Sequence, residues 1–181
     1  MPRHKMLARV MLVLGVAAIA AAITPARAGE PDIDKLAGVY KKTFKNALVS
    51  GEKYQSENIL EIVKVSPKAA YIRTHLEFSN GHRCDIWGLA KLEGDALVYR
   101  GKTNSQDKQC VLSVKAADGK VAFEDKEGAC ALSTCGARGM YNGISFELNR
   151  RRTIRYMKTL LNSDQYKESI NEFEGRPKTR P

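Results

Sequence analysis

The chain has 181 residues, 43% of them hydrophobic, and a formal net charge of +10. Its length suits one domain with one core and excludes an assembly of several domains. Its basic excess indicates an anionic partner, such as lipid head groups, acidic glycans or an acidic protein, or else a charge that serves solubility alone.

The chain begins with the three parts of a secretory signal peptide. A basic start precedes an apolar run over residues 10–23, and Ala26-Arg27-Ala28 forms a typical cleavage site. The basic residues of the start are Arg3, Lys5 and Arg9. The apolar run would span about 21 Å as a helix, short of the ~30 Å core of a bilayer. We therefore expect export, cleavage after Ala28 and a periplasmic mature protein.

Cleavage after Ala28 leaves 153 residues with a formal charge of +6, because four basic residues leave with the signal peptide. We expect one β-rich domain over residues 29–174, with helices from about residue 150, and a mobile tail over residues 175–181. The exported compartment argues against nucleic acid as a partner. It favours an anionic ligand, the envelope surface or an envelope protein, and peripheral contact with the membrane stays open.

Seven segments alternate apolar and polar residues with the period of a β-strand. They cover residues 39–44, 59–65, 71–78, 84–92, 96–100, 110–115 and 121–124. Asn80-Gly81 and Asp118-Gly119 are strong hairpin signals, because both residues of each pair tolerate positive φ. Consecutive hairpins predict an antiparallel meander, and closure would remove its exposed edges. The expected fold class is mainly β, an antiparallel calycin-like barrel or half-barrel with C-terminal α-helices.

The apolar period changes to that of a helix after residue 150. The first helical stripe consists of Ile154, Met157, Leu160 and Leu161, with Thr153 as a candidate N-cap. A second short helix would begin at Asn162 or Ser163. Its stripe consists of Tyr166, Ile170 and Phe173. Both stripes are expected to pack on the barrel rather than to bind a cofactor.

All four cysteines lie in the mature part, and an even number in an exported chain predicts two disulfides. They are Cys84, Cys110, Cys130 and Cys135. Zinc ligation is the competing interpretation, but the spacings typical of structural zinc sites are missing. Cys84 and Cys110 share strand faces with apolar residues, so the preferred pairing is Cys84–Cys110 with Cys130–Cys135. No metal and no cofactor are expected.

Two glycines bracket Arg138 in the loop that follows Cys135. Glycine permits a crowded backbone, and a guanidinium held by a stapled loop suits the recognition of a carboxylate or phosphate. Arg138 is therefore a candidate binding residue. The structural alternative is an ion pair between Arg138 and an acid such as Asp85 or Glu77.

Three adjacent arginines precede the first predicted helix. A cationic run is unfavourable at a helix N-terminus, where the macrodipole is positive, so we place this run mostly before the helix. The candidate binding residues of the run are Arg150, Arg151 and Arg152. They predict contact with an anion or a membrane surface, or else form a solvated basic face.

The chain contains no nucleophile elbow, no zinc-protease motif, no phosphate loop and no dinucleotide fingerprint. His82, beside the predicted hairpin tip, could serve as a base or a metal ligand, or lie on the surface as an ordinary polar residue. The same alternatives apply to His75. An enzyme is therefore not expected, and a hydrolase that uses His82 with a nearby carboxylate is kept as an alternative.

Three segments resemble a family of small exported proteobacterial proteins of unknown function. They are Asn80-Gly81-His82-Arg83-Cys84, Cys135-Gly136-Ala137-Arg138-Gly139 and Arg151-Arg152-Thr153-Ile154-Arg155-Tyr156. The likeness covers nearly the whole mature chain. It implies a shared scaffold and carries no activity with it.

The segment Ser50-Gly51-Glu52-Lys53-Tyr54 is similar to the short Ser-Gly…Lys/Arg-Tyr signature of periplasmic lysozyme inhibitors, which are small disulfide-stapled β-barrels. In that group the loop enters the cleft of lysozyme. The resemblance implies that Ser50, Lys53 and Tyr54 are contact residues.

The first functional hypothesis is therefore a non-catalytic periplasmic binding module that recognises an anionic ligand or a component of the cell envelope through basic residues. One alternative is a proteinaceous inhibitor of an envelope hydrolase such as lysozyme. A second is an unrecognised hydrolase.

Overall fold

The computed structural model describes residues 32–103 and 106–176. The predicted signal peptide lies outside the described residues, and so do residues 177–181 of the predicted mobile tail. Within the described residues the chain forms eight strands in one antiparallel sheet, in which every strand pairs with its neighbours in sequence. The strands are β1 (Gly38–Ala47), β2 (Lys53–Ser66), β3 (Ala69–Glu77), β4 (Arg83–Glu93), β5 (Ala96–Thr103), β6 (Gln109–Ala117), β7 (Lys120–Asp125) and β8 (Ser145–Glu147).

The sheet curls into a nearly closed barrel, which confirms the predicted fold class. All seven predicted strands are present, and β8 is an addition that the alternation pattern missed because it has only three residues. The predicted turn at Asp118-Gly119 is a two-residue hairpin between β6 and β7, with φ of 51° and 74°. Side chains of all eight strands fill the interior, and the rings of Tyr40 and Phe146 connect β1 to β8 at a centroid distance of 6.2 Å.

Helices cover the two ends of the barrel. α1 (Ile33–Leu36) lies at the start of β1, where both of its apolar side chains are 2% exposed and Asp32 caps its N-terminus. The hydroxyl of Tyr40 donates to the carbonyl oxygen of Leu36 at 2.8 Å and so ties this helix to the core. α2 (Ala129–Thr134) lies at the opposite end, beside β4 and β6. These two ends are called the α1 end and the α2 end below.

Two C-terminal helices, α3 (Met157–Asn162) and α4 (Asp164–Phe173), pack on the outer face of the sheet. Ile154 and Leu160 form a second apolar cluster there with Val39, Val63 and Tyr71 of β1 to β3. Met157 and Tyr166 pack against the same cluster, so most of the predicted packing is confirmed, whereas Leu161 and Phe173 are exposed. Ser163, one of the two predicted N-cap positions, caps α4. The predicted N-cap of the first helix is wrong, because α3 begins after Tyr156 and not after Thr153.

All four cysteines form disulfides, as predicted, but the preferred pairing is wrong. The bonds are Cys84–Cys135 and Cys110–Cys130. Cys84 and Cys110 do point into the core, but β5 lies between their strands, so their backbones are two strand spacings or roughly 10 Å apart. A disulfide needs Cα atoms within about 7 Å. The segment after Cys130 is helical rather than a loop, and Cys135 follows it as the extended residue that ends the helix.

Candidate anion site at the barrel seam

The gap between β1 and β8, which we call the seam, holds a groove of about 400 Å³. β1 contributes Lys41, Lys42 and Thr43 to this seam groove, and β8 contributes its three residues. The remaining lining residues are Glu57, Arg150 and Arg152. The groove therefore brings two of the predicted arginines together with two lysines of β1.

The seam groove is predominantly basic. Lys41 is paired with Glu57 at an Nζ–Oε2 distance of 2.6 Å, so these two charges offset each other. Among the described residues, none forms an ion pair with the exposed side chains of Lys42, Arg150 or Arg152. Glu147 is the remaining carboxylate of the lining. Three cations and one anion without such partners leave the groove with a net positive charge.

The backbones of β1 and of the arginine run come close together beside the seam groove. Val39 and Arg152 exchange two backbone hydrogen bonds, of 2.8 and 3.0 Å, at the α1 end of β1. The neighbouring Gly38 has φ of +151°, and a Cβ there would lie 2.7 Å from the carbonyl oxygen of Arg152. A glycine is therefore required for this contact. A 3₁₀ turn over Leu148–Arg150 then carries Arg150 to the groove.

Arg151 has a different position from its two neighbours. Its Nη1 donates to the carbonyl oxygens of Asp34 and Ala37, at 2.6 and 3.2 Å. These carbonyls lie in and just after α1, where backbone oxygens lack helical partners. The structure therefore gives Arg151 a capping contact with α1, while Arg150 and Arg152 line the seam groove.

Arg138 lies at the α2 end of the barrel, in an exposed turn closed by a 2.8 Å hydrogen bond from the Gly139 N–H to the Gly136 carbonyl. Within the described part of the chain, no carboxylate forms an ion pair with it. The two acids suggested as structural partners, Asp85 and Glu77, contact His75 instead. Arg138 is thus held by a stapled loop but is distant in the fold from the seam groove.

His82 and His75 have different surroundings. A Cβ on Gly136 would lie 2.6 Å from Nδ1 of His82, so the imidazole packs closely on the glycine backbone. His75 lies on the outer face of the sheet, where its Nδ1 is 2.7 Å from Oδ1 of Asp85 and its Nε2 is 3.5 Å from Oε1 of Glu77. Carboxylates therefore flank His75, and none within residues 32–103 or 106–176 pairs with His82.

The predicted inhibitor loop is the hairpin between β1 and β2, at the α2 end. Ser50 and Lys53 are exposed there, and the neighbouring Val49 is 73% exposed. Tyr54 is half-buried, because its hydroxyl donates to the carbonyl oxygen of Phe78 at 3.2 Å and accepts from the N–H of Gly81 at 3.1 Å. The structure thus connects this loop with the Asn80-Gly81 turn and leaves its tip in solvent.

The sequence analysis did not identify the two lysines of the seam groove as candidate binding residues. Lys41 and Lys42 lie inside a predicted strand, and β1 pairs with β2 along its whole length, so one edge of the strand remains for the seam. The only available signal was the pair of adjacent lysines in a strand, and it does not say which edge is exposed. Glu57, the partner of Lys41, gave no signal of its own.

Comparisons with protein-family models, with curated proteins and with solved structures found no match to this chain. In the part of the chain that the structure describes, no three metal-ligating side chains converge. None of the helices within residues 32–103 and 106–176 has the length and hydrophobicity that crossing a bilayer requires.

Proposed function

We propose that this protein is a non-catalytic binding module of the periplasm that holds an anionic ligand in the seam groove. The observation that carries the proposal is the convergence of Lys42, Arg150 and Arg152 on one groove, without ion-pair partners among the described residues. Thr43 and Ser145 line the same groove, and their side chains carry hydroxyls that can donate hydrogen bonds to an anion.

The side chains suit a phosphate or a carboxylate. A guanidinium presents parallel N–H donors that match two anionic oxygens, and a lysine adds a compact point charge. Lys42, Arg150 and Arg152 line one groove, which can therefore offer an anion more than one cationic group. Basic residues that serve only solubility can lie anywhere on the surface. The placement of Lys42, Arg150 and Arg152 around one groove therefore favours a binding role.

The proposed location rests on two features of the chain. The tripartite signal at its start predicts export and a mature N-terminus at Gly29. The two disulfides are typical of an oxidising compartment. Mass spectrometry of the protein from a periplasmic fraction should therefore return a chain that begins at Gly29, and a chain that retains Met1 would contradict export with cleavage.

The proposal is tested by titrating the protein with pyrophosphate and, separately, with vesicles that contain an anionic phospholipid. The double variant Arg150→Gln/Arg152→Gln should bind at least tenfold more weakly, because each charge-assisted hydrogen bond contributes about 1.5–3 kcal/mol. The matched control is Arg155→Gln, which removes an exposed arginine of the same segment outside the groove. Binding should also weaken with salt, since the Debye length is ~8 Å at physiological ionic strength.

Two results would count against the seam groove. If the double variant binds both probes as tightly as the parent at low salt, the arginines form only a solvated face. If instead Arg138→Gln abolishes the binding, the anion site lies in the stapled loop at the α2 end.

The second candidate function is inhibition of an envelope hydrolase such as lysozyme. It is favoured by the exposed tip of the β1–β2 hairpin, which the Tyr54 hydroxyl ties to the neighbouring turn. An assay of lysozyme activity with the parent and with the variant Ser50→Asp/Lys53→Asp decides between the functions. Loss of inhibition in the variant would support this candidate, and absence of inhibition by the parent would reject it.

A further inference from the structure

The two ends of the barrel differ in the length of their connections. Because every strand pairs with its neighbours in sequence, the connections lie alternately at one end and at the other. The three hairpins of the α1 end turn through Pro67-Lys68, Gly94-Asp95 and Asp118-Gly119. The connections of the α2 end are longer, and the one between β7 and β8 runs over residues 126–144. Binding residues are concentrated on such loops when a rigid scaffold positions them.

The connections of the α2 end expose large apolar side chains to solvent. Leu48 and Val49 form the tip of the β1–β2 hairpin, and Val49 is 73% exposed. Leu132 of α2 is 56% exposed, and Met140 in the loop that follows is 53% exposed. The three hairpin turns of the α1 end contain no large apolar side chain. A single exposed apolar residue is ordinary, but four of them at one end of a barrel indicate a contact surface.

The connections that carry these side chains are linked to one another. The Val49 N–H donates to Oδ1 of Asn80 at 3.5 Å, which joins the hairpin tip to the β3–β4 connection. The Gly136 N–H donates to the Arg83 carbonyl at 2.8 Å, beside the disulfide Cys84–Cys135, which joins the loop after α2 to the start of β4. The hairpin tip and this loop are therefore both attached to the segment between β3 and β4.

Exposed basic side chains accompany the apolar ones. Lys53 begins β2 directly after the hairpin, Arg83 begins β4, and Arg138 lies two residues before Met140. Within residues 32–103 and 106–176, no carboxylate forms an ion pair with any of these three. Glu52 is the acid of the hairpin, and the other lysines and acids of these connections offset each other in number. The α2 end therefore has a net positive charge.

This combination suits a bilayer surface better than a folded protein. Protein interfaces centre on aromatic and arginine anchors that fill pockets of the partner, whereas the apolar side chains at the α2 end are aliphatic or carry a thioether. At a membrane, apolar side chains enter the boundary between head groups and acyl chains. Basic side chains at the same depth meet the head groups of anionic lipids.

We propose that the α2 end is a docking surface for a bilayer that contains anionic lipids. Leu48 and Val49 enter the interface, and Leu132 and Met140 lie against it. The basic residues around them contact lipid phosphates. This surface is separate from the seam groove, and the inference goes beyond the function proposed above, because it holds the protein at a membrane while the groove takes its ligand.

The first test measures binding to vesicles of phosphatidylcholine mixed with phosphatidylglycerol, and to vesicles of phosphatidylcholine alone. The parent should prefer the mixed vesicles. The variant Leu48→Ser/Val49→Ser should bind them at least tenfold more weakly, because the burial of two aliphatic side chains is lost. Its net charge is unchanged. The matched control is Leu161→Ser, an exposed leucine of α3, which should bind as the parent does.

The charges are tested separately. Lys53→Gln/Arg138→Gln should weaken binding to the mixed vesicles at least threefold and reduce its dependence on salt. The control is Lys167→Gln, at an exposed position of α4. Neither this variant nor the serine variant should change pyrophosphate binding, whereas the double variant of the seam arginines should weaken both probes.

A fluorescent probe shows which end enters the membrane. The protein has one tryptophan, Trp87, so Val49→Trp/Trp87→Phe places a single indole at the hairpin tip. Its emission should shift to the blue on mixed vesicles and be quenched by brominated acyl chains. Leu161→Trp/Trp87→Phe is the control, and its emission should stay unchanged.

The outcomes separate this inference from the proposed function. If the serine variant binds mixed vesicles like the parent, if the parent binds both kinds of vesicle equally, or if the indole at position 49 stays in water, the docking surface is wrong. Pyrophosphate binding that depends on Arg150 and Arg152 would then still support the seam groove. If the serine variant loses inhibition of lysozyme and keeps vesicle binding, the hairpin contacts a protein and the membrane surface is rejected.

Discussion

Two glycines in the loop after Cys135 occupy positions where a side chain would collide with a neighbour. A Cβ on Gly139 would contact Sγ of Cys84 and would lie 2.8 Å from Cβ of Cys135, inside the disulfide. A Cβ on Gly136 would instead meet the imidazole of His82. The motif Cys-Gly-Ala-Arg-Gly is thus explained by packing at both glycines, and only the exposed arginine between them is available to a ligand.

We expect Gly139→Ala to destabilise the fold by about 1–3 kcal/mol, the usual cost of an added methyl group in a packed site. Gly136→Ala should cost less, because the His82 side chain can rotate away. Urea denaturation of both variants measures the difference. As a control, the double variant Gly136→Ala/His82→Ala should regain stability relative to Gly136→Ala, and equal losses for the two single variants would contradict the argument.

Glu77 makes the stability of the fold depend on pH in the acidic range. Partial burial raises its pKa, but hydrogen bonds from Ser56 and the Glu57 N–H, together with His75, outweigh this and lower the pKa below its ordinary value. A carboxyl with a lowered pKa in the folded state stabilises the fold above its unfolded pKa of about 4.5 and loses that contribution as the pH falls through the folded value.

We therefore expect Glu77→Gln to lower the free energy of unfolding at pH 7 and to differ little from the parent at pH 3. Urea denaturation at pH 7, 5 and 3 measures this difference. Glu168→Gln, at an exposed position of α4, serves as the control. A deficit in the Glu77 variant that stays constant across the whole range would show that the stabilisation does not depend on the charge.

At the scale of elements, one polar cluster holds the C-terminal helices to the barrel. Glu61 of β2 is buried and forms a two-pronged ion pair with Arg73 of β3, with an Nη2–Oε1 distance of 2.9 Å. The Tyr156 hydroxyl, just before α3, donates to the same carboxylate, and Nη1 of Arg73 reaches Gln165 of α4 at 3.3 Å. Burial, together with the bond to Glu61, raises the pKa of Tyr156 to about 12, so its hydroxyl remains a donor.

Loss of the central carboxylate should loosen this attachment. We expect Glu61→Gln to cost about 2–3 kcal/mol, below the roughly 3–5 kcal/mol of a fully buried pair, because the side chain of Arg73 is 27% exposed. The matched control Glu57→Gln breaks the exposed pair with Lys41 and should cost less than about 1 kcal/mol. Thermal unfolding measures both, and similar shifts for the two variants would contradict a structural role for the buried cluster.

At the scale of the whole molecule, two disulfides connect parts of the barrel that are distant in sequence. Cys84–Cys135 joins the start of β4 to the end of α2 across 51 residues, and Cys110–Cys130 joins β6 to the same helix across 20 residues. Together they anchor α2 over the barrel end. The loop of Arg138 then begins directly at a covalent bond, which limits its freedom.

We expect removal of either disulfide to destabilise the protein, and by more for the longer loop. Chain entropy predicts about 4 kcal/mol for Cys84–Cys135 and about 3 kcal/mol for Cys110–Cys130. Double alanine variants and chemical denaturation measure the two values. Titration of the native protein should find no reactive thiol, since all four cysteines are bonded. Unfolding midpoints that do not change on reduction would rule out a structural role.

Much of the barrel could be predicted because its signals are local. Alternation in the segment with Ile72, Leu76 and Arg73 separates an inner from an outer face, and Asp118-Gly119 requires only its own two φ angles. The stripe of Ile154 and Leu160 likewise depends on helical periodicity within one segment. β8 escaped prediction because three residues are too few for a period to be visible, and its pairing with β7 depends on the rest of the sheet.

The sequence by itself determined the strands, the turns, the apolar faces, the participation of every cysteine in a disulfide and the presence of a basic run. Only the tertiary structure decided which cysteines bond, because β5 separates Cys84 from Cys110. It alone directed Arg151 to α1 and brought Arg150 and Arg152 to Lys42 of β1. Periodicity is a property of a single segment, whereas a groove depends on the distance between two strand edges that lie about 100 residues apart in the chain.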